Sequence, residues 1–157
     1  MGFNSHKFSI IELSEGAPLP YNLLLLADPS KRMIDEYLPH SDIFIASLND
    51  ETIGVIVLFP LTTEKAEIKA IAVMPEFQGQ GIGRLMIESV LKIAVERNLR
   101  SVCIGTANSS LGPLHLYQTL GFEVTDVKKD FFTDNYAEPI FENGVQAKDM
   151  LVLTKVL

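Results

Sequence analysis

At 157 residues, 47% hydrophobic and 21% charged, the chain is sized for one domain with a real core and is too apolar for a disordered segment. A net charge of −7 without any Lys/Arg cluster speaks against a nucleic-acid binder; such acidity usually serves solubility, and it would also suit a cationic substrate. The lone Cys103 excludes an intrachain disulfide and a paired-cysteine zinc site, and His6, His40 and His115 have no metal-ligand spacing, so no metal is expected.

Cys103 reads as a small buried hydrophobe, since no nearby base marks it as a nucleophile. The N-terminus lacks the apolar stretch of a signal peptide, and an N-myristoylation pattern fails at His6. The longest apolar run, Ile53 to Phe59, is too short to cross a bilayer. The expected location is therefore cytoplasmic, with no membrane partner, and the sequon Asn108-Ser109-Ser110 carries no meaning there.

Phe8 to Leu13 alternates as a strand, and Leu19 to Ala27 is a Leu-rich helix. Asp28-Pro29 reads as an N-cap followed by proline in the first turn, opening a second helix to Leu38. Asp42 to Leu48 and Thr52 to Phe59 are strands joined through Asn49-Asp50-Glu51 as a tight hairpin. Glu67 to Met74 alternates again and stops at Pro75. Arg84 to Asn98 is the strongest helix. Leu85, Met86, Val90, Ala94 and Val95 make its broad apolar face, widened by Ile87 and Leu91, and charges of alternating sign occupy the other side. Ser101 to Gly105 is a short strand. Ser110 to Leu120 is a helix with Pro113 in its first turn and Gly121 as its C′ residue. Phe122 to Lys128 is a strand, followed by a polar and aromatic loop and a last strand from Lys148 to Val156. Without repeats or linkers, this order predicts one domain over residues 1–157: an α/β fold with a mixed sheet and helices on both faces.

The most informative segment is Gln78-Gly79-Gln80-Gly81-Ile82-Gly83, which lies between a strand and the best helix. Free backbone N–H groups and the positive end of the helix dipole make such a loop a site for a phosphate or pyrophosphate. The glycine spacing is wrong for a dinucleotide fingerprint, and the next strand ends in Thr106-Ala107-Asn108 without a carboxylate for a ribose. Gly-Lys-Ser/Thr is absent, so this is no P-loop nucleotidase. A plain turn would not spend three alternating glycines, each of which costs conformational entropy.

Gln78-x-x-Gly81-x-Gly83, preceded by Ile71-Ala72-Val73-Met74-Pro75, resembles the acetyl-CoA motif of the GNAT family of N-acetyltransferases. Downstream, Asn108 and then Leu116-Tyr117-Gln118-Thr119-Leu120-Gly121-Phe122 resemble the family's second motif, with a tyrosine shortly before Gly-Phe. The resemblance is firm from Ile53 to Glu123. It implies a mostly antiparallel twisted sheet, acetyl-CoA as cofactor, and acetyl transfer to a small amine, a peptide N-terminus or a lysine by direct attack in a ternary complex.

It further implies that main-chain N–H groups around Gly79, Gly81, Gly83 and Arg84 bind the pyrophosphate, with Gln78, Gln80 and Ile82 in the same loop. Ile71, Ala72 and Val73 lie on a strand that, in the family, splays from its neighbour to pair with the pantetheine and supply an oxyanion donor. Tyr117 fits the general acid at the leaving sulfur; the plainer reading packs its ring on the sheet with its hydroxyl in water. Asn108 suits a bond to pantetheine, a tether for Tyr117, or a helix N-cap. Glu67 is the candidate general base, against a solvated strand-end carboxylate. In the final loop, Asp130, Phe132, Asp134, Tyr136 and Glu138 alternate acids with aromatics, which suits either an acceptor cradle or a loop pinned by its rings. Monomer and homodimer both fit. The rival functions are a non-catalytic acyl-CoA sensor, which could dispense with Tyr117, and a scaffold domain that binds no acetyl-CoA.

Overall fold

The structure is a computed structural model and describes residues 7–157; His6, weighed above, lies outside the described residues. Among them, seven strands form one sheet in the order β1-β2-β3-β4-β5-β9-β6. These are β1 (Phe8–Glu12), β2 (Asp42–Leu48), β3 (Glu51–Pro60), β4 (Lys65–Val73), β5 (Ser101–Ala107), β6 (Glu123–Lys128) and β9 (Met150–Val156). Every neighbouring pair is antiparallel except β4 with β5. That pair is joined by helix α3 (Ile82–Glu96), the crossover a parallel connection requires.

Helices cover both faces. On one face α3 and α4 (Leu111–Thr119) enclose a core of Phe44, Ile56, Leu58, Ile68 and Leu153. On the other, α1 (Tyr21–Ala27) and α2 (Lys31–Tyr37) bury Leu23, Leu24 and Ile34 against Val55, Val57 and Ala70. Covered on both sides, Ile53 to Leu58 of β3 is buried almost without interruption and reads as a continuous apolar run. No helix among the described residues is long and apolar enough to cross a membrane.

Several local expectations shift. The β2–β3 turn needs only Asn49 (φ 51°) and Asp50 (φ 66°), a pair whose short polar side chains tolerate the left-handed region. Helix α3 buries Ile82, Met86, Ile87, Val90, Leu91 and Ala94, whereas Leu85 and Val95 are 37% and 57% exposed. Its buried arc is thus centred further round the helix than the sequence pattern indicated. Helix α2 is capped by Ser30, whose Oγ accepts from the Met33 N–H at 3.3 Å. Asp28 is extended (φ −143°), as a residue before proline prefers to be, and leaves the capping to Ser30. Cys103 is half-buried. The final loop is not irregular throughout: it holds a short helix α5 (Phe131–Asn135) and a hairpin of β7 (Phe141–Glu142) and β8 (Val145–Gln146), turning at Asn143 and Gly144.

Two features of β4 position the site. Its register against β3 passes from Val57↔Ala70 to Leu58↔Ile68, so Lys69 is an extra, bulged residue. Such a bulge re-aims the side chains that follow. Ala66 and Ile68 face the α3 side, whereas Ala70 faces α1 and α2. Second, β4 pairs with β5 only from Lys65↔Ser101 to Ile68↔Ile104, although β4 runs on to Val73 and β5 to Ala107. Beyond Ile68 and Ile104 the two strands part.

Candidate active site

The glycine loop enters α3 with Gly79 at φ 77° and Gly81, the N-cap, at φ 83°. A side chain at either position would be held in the left-handed region, at a cost of roughly 1–2 kcal/mol. The helix hydrogen bonds begin with Leu85 N–H donating to the Gly81 carbonyl at 3.1 Å. Ile82, Gly83 and Arg84 therefore have N–H groups without helical acceptors, and no side chain caps them. No described residue lies within 4 Å of a Cβ built at Gly79 or Gly81, so among these residues the surface above the loop is open. Gln78 is exposed, and its Nε2 donates to the Val73 carbonyl at 2.9 Å, which ties the loop to the end of β4. Arg84 donates to Thr119 Oγ1 at 2.7 Å and so ties the α3 entrance to the end of α4. Gln80 and Ile82 continue the loop, with Ile82 buried beneath it.

The parting of β4 and β5 opens a cleft of about 510 Å³. Its floor includes Glu67 and Ile71 of β4 and Thr106 of β5; its walls come from α4, from the α1–α2 link and from the final loop. On the β5 side, the backbone of β4 from Lys69 to Val73, which includes Ala72, has no strand partner among the described residues.

Tyr117 lines this cleft from α4. It is 6% exposed and packs beside Phe122, with ring centroids 6.3 Å apart. Its hydroxyl makes no hydrogen bond to any described residue. Burial pushes its pKa up to about 12, which keeps it a proton donor. Glu67 lines the same cleft; its side chain is 16% exposed and pairs with Lys69 Nζ at 3.2 Å. Across the parallel register Glu67 stands beside Cys103, whose thiol is pushed up by burial first and by the Glu67 charge second. Among the described residues no cluster of His, Cys, Asp and Glu could hold a metal ion.

The predicted acceptor residues separate into two groups. Phe132 and Tyr136 line the cleft and stack on each other at 5.7 Å, with Phe131 edge-on to Phe132 at 5.2 Å. Asp130, Asp134 and Glu138 are exposed and lie outside its lining. Asp130 starts α5, and its N–H donates to Asp149 Oδ1 at 2.9 Å. Asn108 is spent on a latch. Its Oδ1 accepts from the N–H groups of Lys148 and Asp149 at 2.8 and 3.1 Å, and its Nδ2 donates to the Gln146 carbonyl at 3.1 Å. Both lone pairs of the amide oxygen are thereby occupied, and Ser110 takes the N-cap position of α4.

Sequence reasoning missed three cleft residues. Asp28 Oδ1 accepts from the Ser30 N–H at 3.0 Å and from the Tyr136 hydroxyl at 2.8 Å, linking α5 to the α1–α2 connection. Tyr37 lines the same cleft, and its buried hydroxyl has no hydrogen-bond partner among the described residues. Glu142 receives the Ser110 hydroxyl at 3.0 and 2.9 Å. The Asn143-Gly144 pair, a strong hairpin signal, was the one local cue to the position of Glu142. Nothing in the sequence brings Asp28 and Tyr136 together.

Comparison with known proteins agrees with this arrangement. A family model described as the acetyltransferase (GNAT) family matches residues 12–122. A GNAT family acetyltransferase from Elizabethkingia anophelis, solved with acetyl-CoA bound, is 48% identical, with a TM-score of 0.94 over 96% of this chain and 99% of the other. A Bacillus subtilis acetyltransferase solved in complex with CoA is 39% identical, with a TM-score of 0.89 over 96% of this chain and 99% of that one. The uncharacterised N-acetyltransferase YvbK of Bacillus subtilis strain 168 is 42% identical over 133 residues, spanning 85% of this chain and 86% of its own length. The chain belongs to the GNAT family of acetyltransferases.

Proposed function

We propose that the protein transfers an acetyl group from acetyl-CoA to an amine, by direct attack within a ternary complex, as one cytoplasmic acetyltransferase domain. The observation that carries the reading is the parting of β4 from β5 beside the uncapped entrance of α3, with Tyr117 in the cleft so opened. The related crystal structures with acetyl-CoA and with CoA support the choice of cofactor.

The open surface over Gly79 and Gly81 fits a diphosphate on the N–H groups of Ile82, Gly83 and Arg84. The unpaired edge of β4 from Lys69 to Val73 suits an extended amide-bearing arm, which it would bind as a missing strand. Bound acetyl-CoA supplies a thioester, whose C–S bond is exchanged for the C–N bond of the amide. A main-chain N–H on the Ile71–Val73 edge is the donor to the carbonyl oxygen. Glu67 takes the proton that the acceptor ammonium must lose, directly or through water; Lys69 orients the carboxylate. Tyr117 gives its proton to the leaving sulfur, and its burial holds that proton on oxygen until then. The acceptor, a small or peptide amine, enters between the α1–α2 link and α5, where Phe132 and Tyr136 line the wall.

Thiol release from acetyl-CoA with a panel of amines tests this reading, in wild type and in Tyr117→Phe. Amine-dependent thiol release that the variant loses is expected. Cofactor binding without thiol release above background for any amine would identify a binding module instead.

A further inference from the structure

The charged residues lining the cleft are Asp28, Glu67, Lys69 and Glu142. Lys69 is paired with Glu67. Neither Asp28 nor Glu142 has a cationic partner among the described residues, so the cleft holds two uncompensated carboxylates and no spare cation. Asp28 is also prepared for a ligand. Both of its hydrogen bonds among the described residues end on Oδ1, which leaves Oδ2 without a partner among them. Beside it, Tyr37 is 9% exposed, yet its hydroxyl has no hydrogen-bond partner among the described residues. A buried hydroxyl left unpaired costs stability unless something fills the position. The Phe132–Tyr136 stack lies alongside, with Tyr136 itself fixed by its bond to Asp28.

We propose that the acceptor is a diamine-type cation: one amine reacts beside Glu67 and Tyr117, while a second ammonium is held by Asp28 Oδ2 and the Tyr37 hydroxyl, its carbon chain lying on the Phe132–Tyr136 stack. The proposal rests on the acetyl-transfer reading and narrows its substrate class. The ammonium donates to the free carboxylate oxygen and to the phenol oxygen, which gives both unpaired groups a partner. The aromatic faces favour a cation and its methylene chain over an anion. An acceptor with a carboxylate at that end finds no counter-charge and meets the like charge of Asp28.

The test compares initial rates of acetyl transfer to cadaverine, pentylamine and ε-aminocaproate, which share a five-carbon spacer and differ in the distal group. Putrescine and butylamine repeat the comparison at a shorter length. Wild type should prefer the diamine over the matched monoamine by about tenfold in kcat/KM, the worth of a charge-assisted pair, and should disfavour aminocaproate. Asp28→Asn and Tyr37→Phe should each draw the diamine/monoamine ratio toward one. Calorimetry of cadaverine and pentylamine against wild type saturated with CoA, where no turnover occurs, should give the same preference and does not depend on the variants folding. A wild-type ratio near one, or a preference that survives in a folded Asp28→Asn, overturns the proposal. If acetyl-CoA binds and monoamines are acetylated as well as diamines, only the proposal fails. If acetyl-CoA does not bind, the reading beneath it fails too.

Discussion

The α3 entrance and the acceptor cleft are built in opposite ways. The entrance is one continuous segment, Gln78 to Arg84, whose features are local: two positive-φ glycines, an uncapped helix and a side chain folded back onto Val73. The cleft draws its walls from β4, β5, α4, α5 and the α1–α2 link, and its polar contacts join residues as far apart in sequence as Asp28 and Tyr136. A local site is specified by conformational preference. An assembled site depends on how each distant element is latched, so damage to it should spread differently.

Substituting the local site should have the largest effect. Gly81→Leu places a side chain in the left-handed region, for about 1–2 kcal/mol of stability, and covers the open surface over the loop. Affinity for CoA should fall about 100-fold by calorimetry, well beyond what the change in melting temperature accounts for. Tyr117→Phe should lower kcat by about 100-fold and leave the melting temperature and CoA affinity near wild type, because the hydroxyl has no partner to lose among the described residues. A fall in stability with an unchanged kcat would instead make Tyr117 a packing residue.

Asn108→Ala probes the latch of the assembled site. Releasing three hydrogen bonds should cost roughly 2–3 kcal/mol and raise the acceptor KM, with CoA affinity held within a few-fold. Equal losses at both ligands would erase the distinction between the two regions. The pH profile sharpens it further. A raised tyrosine pKa means the donor form persists to higher pH, so with Tyr117 at about 12 its donor fraction stays near one at pH 10. The profile of kcat/KM should climb as the acceptor amine deprotonates and then level off. A descending limb below pH 10 would assign the acid to another group. Smallest of all, Gly83→Ala adds a Cβ 4.0 Å from Leu116 Cδ2, an ordinary contact at a helical position. Stability should rise by about 0.5–1 kcal/mol while CoA binding weakens only a few-fold.

Legibility in the sequence follows the same division. The strand–glycine loop–helix unit and the β2–β3 turn are local patterns, and the fold realises both, with the turn shortened to Asn49-Asp50. Periodicity erred on α3, where Leu85 and Val95 are apolar but exposed, because the seating of the helix on the sheet decides which apolar arc is buried. Asp28 looks like a helix cap in sequence, and only the return of α5 more than a hundred residues later makes it a cleft carboxylate. Lys69 carries no mark of a bulge, since its extra position exists only relative to β3. Asn108 offered several partners, and the tertiary fold gave it a fourth role, as the latch of the final loop.

The most direct test of the central claim is a titration of wild-type protein with CoA, followed through backbone amide resonances. The largest shifts should fall on the N–H groups of Gly79 to Arg84, with smaller ones along Lys69 to Val73 of β4. Binding that leaves the Ile82, Gly83 and Arg84 amides unmoved, or no binding by the folded protein, would contradict it.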